Sequence, residues 1–353
     1  MSRLFEPIKF RDLTIGNRAW VSPMCQYSAV DGVPTDWHLV HLGRFAVGGA
    51  GLVLAEATAV EPEGRISPAD TGLWNDDQVA AWRRITDFLH REGAAAGVQL
   101  GHAGRKASTA APWDGGKSVS VAEGGWETVS STSAPMGDLA APRAMTTEEV
   151  AAQPAKWADA ARRAEAAGFD VIELHFAHGY LGHQFYSPLV NDRTDRYGGS
   201  FDGRVRLLLE ITEAVRGAWP AERPLFARLS ATDWTEGGWT GEDSVRLARL
   251  LAERGVDLID ASTGGAVPSA DIPVGAGYQV PFARQIRTES GVATAAVGMI
   301  TAPEQAEEIV ASGSADAVLL ARELLRDPNW PFHAADRLHA GNLWPKQYER
   351  ARG

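Results

Sequence analysis

Eight short apolar runs, separated mostly by helical patterns, constrain this chain more than any other feature. They lie at 19–22, 51–56, 96–101, 170–174, 224–230, 257–262, 293–298 and 315–321. Each is too short for a globular helix and apolar enough to be buried on both faces, as strands of a parallel sheet are. Between them, 77–92 places Val79, Trp82, Ile85, Phe88 and Leu89 on one helical face, and further helical patterns run at 204–219, 244–254 and 303–312. Another helix opens at Thr146, which precedes Glu149 by three, the spacing of a capping box. Gly93, Gly168, Gly255 and Gly313 follow helices where a left-handed cap is wanted. The alternation predicts a parallel α/β barrel, the (β/α)8 or TIM barrel. An open doubly wound sheet is the competing architecture. It requires a glycine-rich turn after the first strand, and Ser22-Pro23-Met24-Cys25 is not one. Residues 7–18 alternate around a turn and predict a hairpin before the barrel. A single domain, 1–353, holds these parts: a hairpin cap at 1–18, a long Gly-, Ser-, Thr- and Pro-rich loop after the third strand at 102–145, suited to a lid, and a tail at 340–353.

Composition removes several classes of function. A net charge of −11 gains nothing from phosphate counterion release, so no nucleic acid partner is expected. Cys25 is the only cysteine, which excludes an intrachain disulfide and points to a reducing, cytoplasmic setting. No apolar run is long enough to span a bilayer, and the N-terminus has no signal-peptide core, so no membrane partner is expected either.

In such a barrel, chemistry gathers at the C-terminal strand ends. The fourth strand ends in His175, with His178 and Tyr180 on the following loop; the three converge on one small group if that loop turns as a helix does. The first strand leads into Ser22, Pro23, Met24, Cys25 and Tyr27, the second into Glu56 and Ala57, and the third into Gln99, with His102, Arg105 and Lys106 beyond. Arg228 lies within the apolar fifth strand. A buried guanidinium needs an anion, either a carboxylate such as Glu56 or Asp260 or an anionic cofactor ring above the barrel. The sixth strand carries Ser262. Gly298, Met299, Ala321 and Arg322 follow the last two strands, where barrels often bind phosphate. Cys25 reads either as an inert thiol or as a cofactor contact. With His175 and His178 it also permits zinc, but no carboxylate-oriented ligand set accompanies them and no metal is assigned.

These residues sit in motifs that resemble a known family. Ser22-Pro-Met-Cys-Gln-Tyr27, Glu56-Ala-Thr-Ala-Val60, Gln99-Leu-Gly-His-Ala-Gly-Arg-Lys106, His175-Phe-Ala-His-Gly-Tyr180, Asn191-Asp-Arg-Thr-Asp-Arg-Tyr-Gly-Gly-Ser200 and Arg322-Glu-Leu-Leu-Arg-Asp-Pro328 resemble the old yellow enzyme family of FMN-dependent ene-reductases. Cys25 and Gln347-Tyr-Glu-Arg350 resemble its bacterial subgroup of YqjM-type reductases and xenobiotic reductase A. The resemblance implies reduction of FMN by NADPH or NADH, followed by hydride transfer from flavin N5 to electron-poor alkenes: enones, enals, maleimides and nitroalkenes. It implies that Ser22, Pro23, Met24, Cys25, Ala57, Gln99 and Arg228 line the flavin, and that Gly298, Met299, Ala321 and Arg322 hold its phosphate. His175 and His178 would bind the substrate oxygen, Tyr180 would donate a proton, Tyr27 would cover the substrate, and Cys25 would tune the flavin. It also implies a homodimer or homotetramer in which Arg350 reaches a neighbour's active site in trans. The chain departs from the family pattern at Ala321, where relatives often carry glycine, in the longer 107–145 loop, and in having only three residues after Arg350. One cysteine cannot ligate the iron–sulfur cluster of related flavoenzymes. A metal-dependent barrel hydrolase and a flavin store or sensor without turnover are the rival readings.

Overall fold

Eight parallel strands close into a barrel in a computed structural model that describes residues 2–341 and 344–351. Met1 of the expected cap, and residues 342–343 and 352–353 of the expected tail, lie outside the described residues. An antiparallel hairpin comes first, β1 (Ile8–Phe10) and β2 (Leu13–Ile15). The next strands are β3 (Ala19–Val21), β4 (Leu52–Ala59), β5 (Ala95–Gly101), β6 (Val129–Ser130), β7 (Arg143–Ala144) and β8 (Val171–Phe176). The last four are β9 (Leu225–Ser230), β10 (Leu258–Ser262), β11 (Ala293–Ala296) and β12 (Ala317–Leu320). The barrel runs β3-β4-β5-β8-β9-β10-β11-β12, with β12 returning to β3; β6 and β7 pair apart from it within the long loop. This closure excludes the open doubly wound sheet.

The helices are α1 (Asp36–Val47), α2 (Asp76–Arg91), α3 (Thr147–Ala166), α4 (Leu181–Tyr186) and α5 (Phe201–Ala218), then α6 (Gly241–Ala252), α7 (Val280–Ser290), α8 (Pro303–Ala311), α9 (Arg322–Arg326) and α10 (Trp330–Arg337). Thr146 caps α3 as expected: its hydroxyl accepts from Glu149 N, and Glu149 accepts in return from Thr146 N. Gly93, Gly168, Gly255 and Gly313 all take positive φ after their helices. The helical patterns at 204–219 and 244–254 begin three residues early in the structure, because Ser200 and Thr240 cap α5 and α6 by accepting from Gly203 and Asp243 amides.

Alternation sorts the barrel interior into layers. Val171, Phe226 and Leu258 belong to an apolar floor that Phe10 and Ile15 of the hairpin close from below. Phe10 packs edge-on to Phe226 with centroids 5.2 Å apart. Burying a side chain of that size contributes about 1.5–3 kcal/mol. One alternation up lie Glu173, Arg228 and Asp260; one further lie His175, Ser230 and Ser262 at the mouth. Strand β4 breaks the alternation. Its register with β5 shifts between Ala55 and Ala57, so Glu56 is an extra, bulged residue and Ala57 pairs with Gln99. Glu56 accepts from Gln26 N at 3.0 Å and meets buried His38 at 3.1 Å instead of entering the barrel.

Candidate active site

The loop after β8 brings His175, His178 and Tyr180 together. The ring of His175 lies edge-on to His178 at 5.1 Å and to Tyr180 at 5.0 Å. His175 Nδ1 accepts from Ala177 N at 3.3 Å, which leaves Nε2 as its donor nitrogen. His178 takes positive φ (59°), its amide donates to Ser230 Oγ at 2.9 Å, and its Nε2 lies 2.7 Å from Ser262 Oγ. That backbone holds because Gly179 and Gly265 touch: a Cβ on Gly179 would sit 1.8 Å from Gly265 O. Below the loop, Gly179 N donates to His183 Nδ1 at 2.9 Å, and His183 Nε2 meets buried Asp233 at 2.7 Å.

Burial, then the positive charge of Arg228, pushes His175 and His178 well below the ordinary imidazole value, so both are neutral at pH 7. Burial raises the Tyr180 hydroxyl well above its usual value and the Cys25 thiol likewise. The tyrosine therefore keeps a proton to give, and the thiol is not a thiolate nucleophile.

Arg228 pairs with Asp260 (Nε to Oδ2, 2.9 Å), which selects Asp260 over Glu56 as its internal carboxylate. The contact is an ion pair and not an aligned hydrogen bond. Gln99 beside it donates to Glu173 Oε1 at 2.7 Å. Cys25 lies against the Ala57 backbone, and Ser22 N donates to Leu320 O at 2.9 Å; these contacts join the first two strand ends to the last. Pro23 and Met24 lie between them, and Met24 packs against the core. Gly298, Met299, Ala321 and Arg322 line one cavity of about 230 Å³ with Tyr278 and Gln279. The Arg322 side chain has no ion pair or hydrogen bond among the described residues, and Gly298 adopts φ +113°, where a Cβ would approach Gln279 to 2.7 Å. An unpaired arginine beside a glycine-lined cavity, and a second arginine just under the mouth, fit a phosphate-bearing, electron-accepting ring. Tyr27, His178 and Met299 all hold positive φ, a conformation that non-glycine residues adopt rarely and that clusters at functional sites.

The strand-end motifs did not reveal the weight of Lys106. Its ammonium donates to His178 O at 2.8 Å and lies 5.2 Å from the Tyr180 ring centre; burial lowers it to about 8. Its place in the third strand's motif was the available signal. His102 turns away from the mouth to Glu61 at 3.2 Å. The long loop reaches the mouth through Trp113, edge-on to Tyr27 at 5.4 Å. In the tail, Trp344 stacks on Phe332 of its own protomer at 5.0 Å. Arg350 is exposed in the turn Lys346–Ala351 and does not line the cavity beside Arg322. Among the described residues, no group of three or more His, Cys, Asp and Glu could hold a metal, and no helix is long and apolar enough to cross a membrane.

A closed α/β barrel with two histidines and a tyrosine at its mouth and two arginines beside it suits a flavin-linked oxidoreductase of the old yellow enzyme type, the class that the family match shows. Residues 3–340 match the NADH:flavin oxidoreductase / NADH oxidase family, and the chain belongs to it. It is 48% identical over 354 residues, 99% of each chain, to the NADPH dehydrogenase of Listeria monocytogenes serotype 4a (strain HCC23). It is 46% identical over 350 residues, 98% of each, to the NADPH dehydrogenase of Geobacillus sp. (strain WCH70). Among solved structures it resembles morphinone reductase, with a TM-score of 0.81 at 27% identity, covering 97% of this chain and 91% of that one.

Proposed function

We propose that this enzyme is an FMN-dependent ene-reductase of the YqjM-type subgroup, taking hydride from NADPH and reducing α,β-unsaturated carbonyl compounds and nitroalkenes. The observation that carries the reading is the facing set His175, His178 and Tyr180, with neutral rings and a protonated hydroxyl, directly above Arg228. Ser22, Pro23, Met24, Cys25, Ala57, Gln99 and Arg228 would hold the ring, and Gly298, Met299, Ala321 and Arg322 the phosphate. Bound there, FMN supplies a hydride acceptor for the nicotinamide and a hydride donor for the alkene β-carbon.

The chain's own groups do the rest. His175 Nε2 donates to the substrate oxygen. Ser262 donates to His178 Nε2, because the Gln279 amide oxygen already accepts a shorter bond from Thr263 (2.7 Å) than the 3.4 Å from Ser262. His178 Nδ1 then carries the second donor hydrogen. Two neutral donors aimed at an oxygen that gains negative charge stabilise the enolate more than the ground state. Tyr180 protonates the α-carbon, and Lys106 beside its ring stabilises the phenolate left behind. Arg228 would offset the negative charge that a bound flavin ring gains on reduction.

Arg350, exposed on its own protomer, would complete a neighbour's pocket in a homodimer or homotetramer. Purified protein should be yellow, lose its visible absorbance when NADPH is added without air, and recover it with a cyclic enone. Bleaching without recovery by any enone, maleimide or nitroalkene would refute the ene-reductase reading. Removing residues 344–353 should weaken association and raise KM for the enone; native mass with unchanged KM would refute the trans role.

A further inference from the structure

Beneath the mouth lie two carboxyls that the chemistry above does not use. Glu173 and Asp260 are fully buried, and one guanidinium, Arg228, is the cation in their layer. Glu173 Oε1 accepts from Gln99, whereas Glu173 Oε2 and both Asp260 oxygens have no aligned hydrogen-bond donor among the described residues. The floor under them is apolar: Val171, Phe226 and Leu258 sit one alternation down the same three strands. Above them the titratable groups are His175 and His178, both neutral, with Lys106 beyond. No bond to a described residue satisfies those carboxyl oxygens. Two ionised carboxylates sealed against one arginine would carry an uncompensated charge in a low-dielectric interior.

We propose that Glu173 and Asp260 hold one proton between them, borne by Glu173 and accepted by Asp260, and that this proton sets the charge under the cofactor ring. With the proton in place, the pair carries −1 and Arg228 +1, and the layer is neutral. The guanidinium's Nη atoms make no hydrogen bond to a described residue and stay accessible, so the positive end faces the mouth. Without the proton the layer carries −1 and opposes a reduced, anionic ring. Asp260 keeps its ionised form because Arg228 lies against it, whereas Glu173 faces a carboxylate, and burial raises both groups. Glu173 and Asp260 are thus positioning residues acting through Arg228. This rests on the flavin reading for its consequence and on the protein alone for the proton.

Three substitutions form a charge ladder. Glu173→Gln supplies a permanent N–H to Asp260, and Asp260→Asn supplies one to Glu173; each leaves a neutral layer that cannot ionise further. The double substitution leaves +1. In the wild-type holoenzyme the flavin's two-electron potential should fall with pH at the one-proton slope, then twice as steeply at alkaline pH, where reduction takes back the shared proton. Both single variants should match the wild type at neutral pH and lose the steep limb, and the double variant should lie higher throughout. Infrared spectra of the apoprotein should show a protonated-carboxyl C=O stretch at neutral pH that shifts in heavy water and is missing from Glu173→Gln. Absence of that band from the wild type, or a steep limb that survives in both single variants, overturns the proposal. Failure to bind flavin overturns the functional reading instead, and the infrared band still decides the proton. Should one single variant not fold, the other makes the same two tests.

Discussion

Replacing Tyr180 by phenylalanine separates proton donation from everything else the residue does. Its hydroxyl has no hydrogen-bond partner among the described residues, while its ring packs on His175 at 5.0 Å and under the Lys106 ammonium at 5.2 Å. Removing one oxygen therefore leaves the packing intact and orphans no buried donor, and stability should stay within about 0.5 kcal/mol. The remaining loss is chemical. General acid catalysis contributes roughly 10²–10⁴-fold, or about 2.7–5.5 kcal/mol of barrier at 1.36 kcal/mol per decade. Anaerobic stopped-flow absorbance resolves the two halves: flavin reduction by NADPH should be nearly unchanged, and reoxidation by a cyclic enone should slow by that factor. A nitroalkene should suffer less, since its nitronate is stable enough to be protonated in solution. Equal losses in both halves, or an undiminished enone rate, would refute Tyr180 as the acid.

Lys106 loses its charge above about pH 8, so enone turnover should decline there and Lys106→Met should run at the lower alkaline level at every pH; a persisting limb in the variant's pH profile would assign it to another group. Cys25→Ser should retain flavin and shift its reduction potential, because burial keeps the thiol protonated; total inactivity with flavin bound would mean covalent chemistry at sulfur. Burial alone would raise Glu61, yet His102 at 3.2 Å and hydrogen bonds from Lys156 and Gln153 bring it down to about 2. Its folded value lies below its unfolded one, so it adds stability above the unfolded value near 4.5, lost as pH falls toward 2. Glu61→Gln should remove up to about 3 kcal/mol of acid-dependent stability, measurable as a flatter Tm against pH between 5 and 2.

The mouth was legible in the sequence because a barrel turns order along the chain into position around a ring. Once Val171, Glu173 and His175 share a face, so by the same alternation do Phe226, Arg228 and Ser230, and the site can be read from strand ends. Helix α1 escaped that reading: it has a histidine in its capping box, and exposed Trp37 and Val40 blur the apolar stripe of Leu42, Phe45 and Ala46. Helix α7 carries a proline at its start and buries only Ala283 and Ile286. Contacts between loops were also beyond reach. The Gly179–Gly265 approach and the Lys106–His178 bond join residues 86 and 72 positions apart in sequence, and no local pattern records such a meeting.

The extra residue in β4 has a practical meaning for anyone rebuilding this barrel. It acts as a half-step in the strand, so the stretch above Ala55 runs in opposite phase to the stretch below it. A segment of regular alternation grafted across 52–59, with no bulge, would pair residue 56 with Gln99, sending Glu56 inward and turning the Ala57 position away from the interior. The interior would then hold a third carboxylate with one arginine to answer it. Chimeras of this enzyme should therefore be cut outside β4, and libraries that randomise the mouth should leave Glu56 and its partner His38 together.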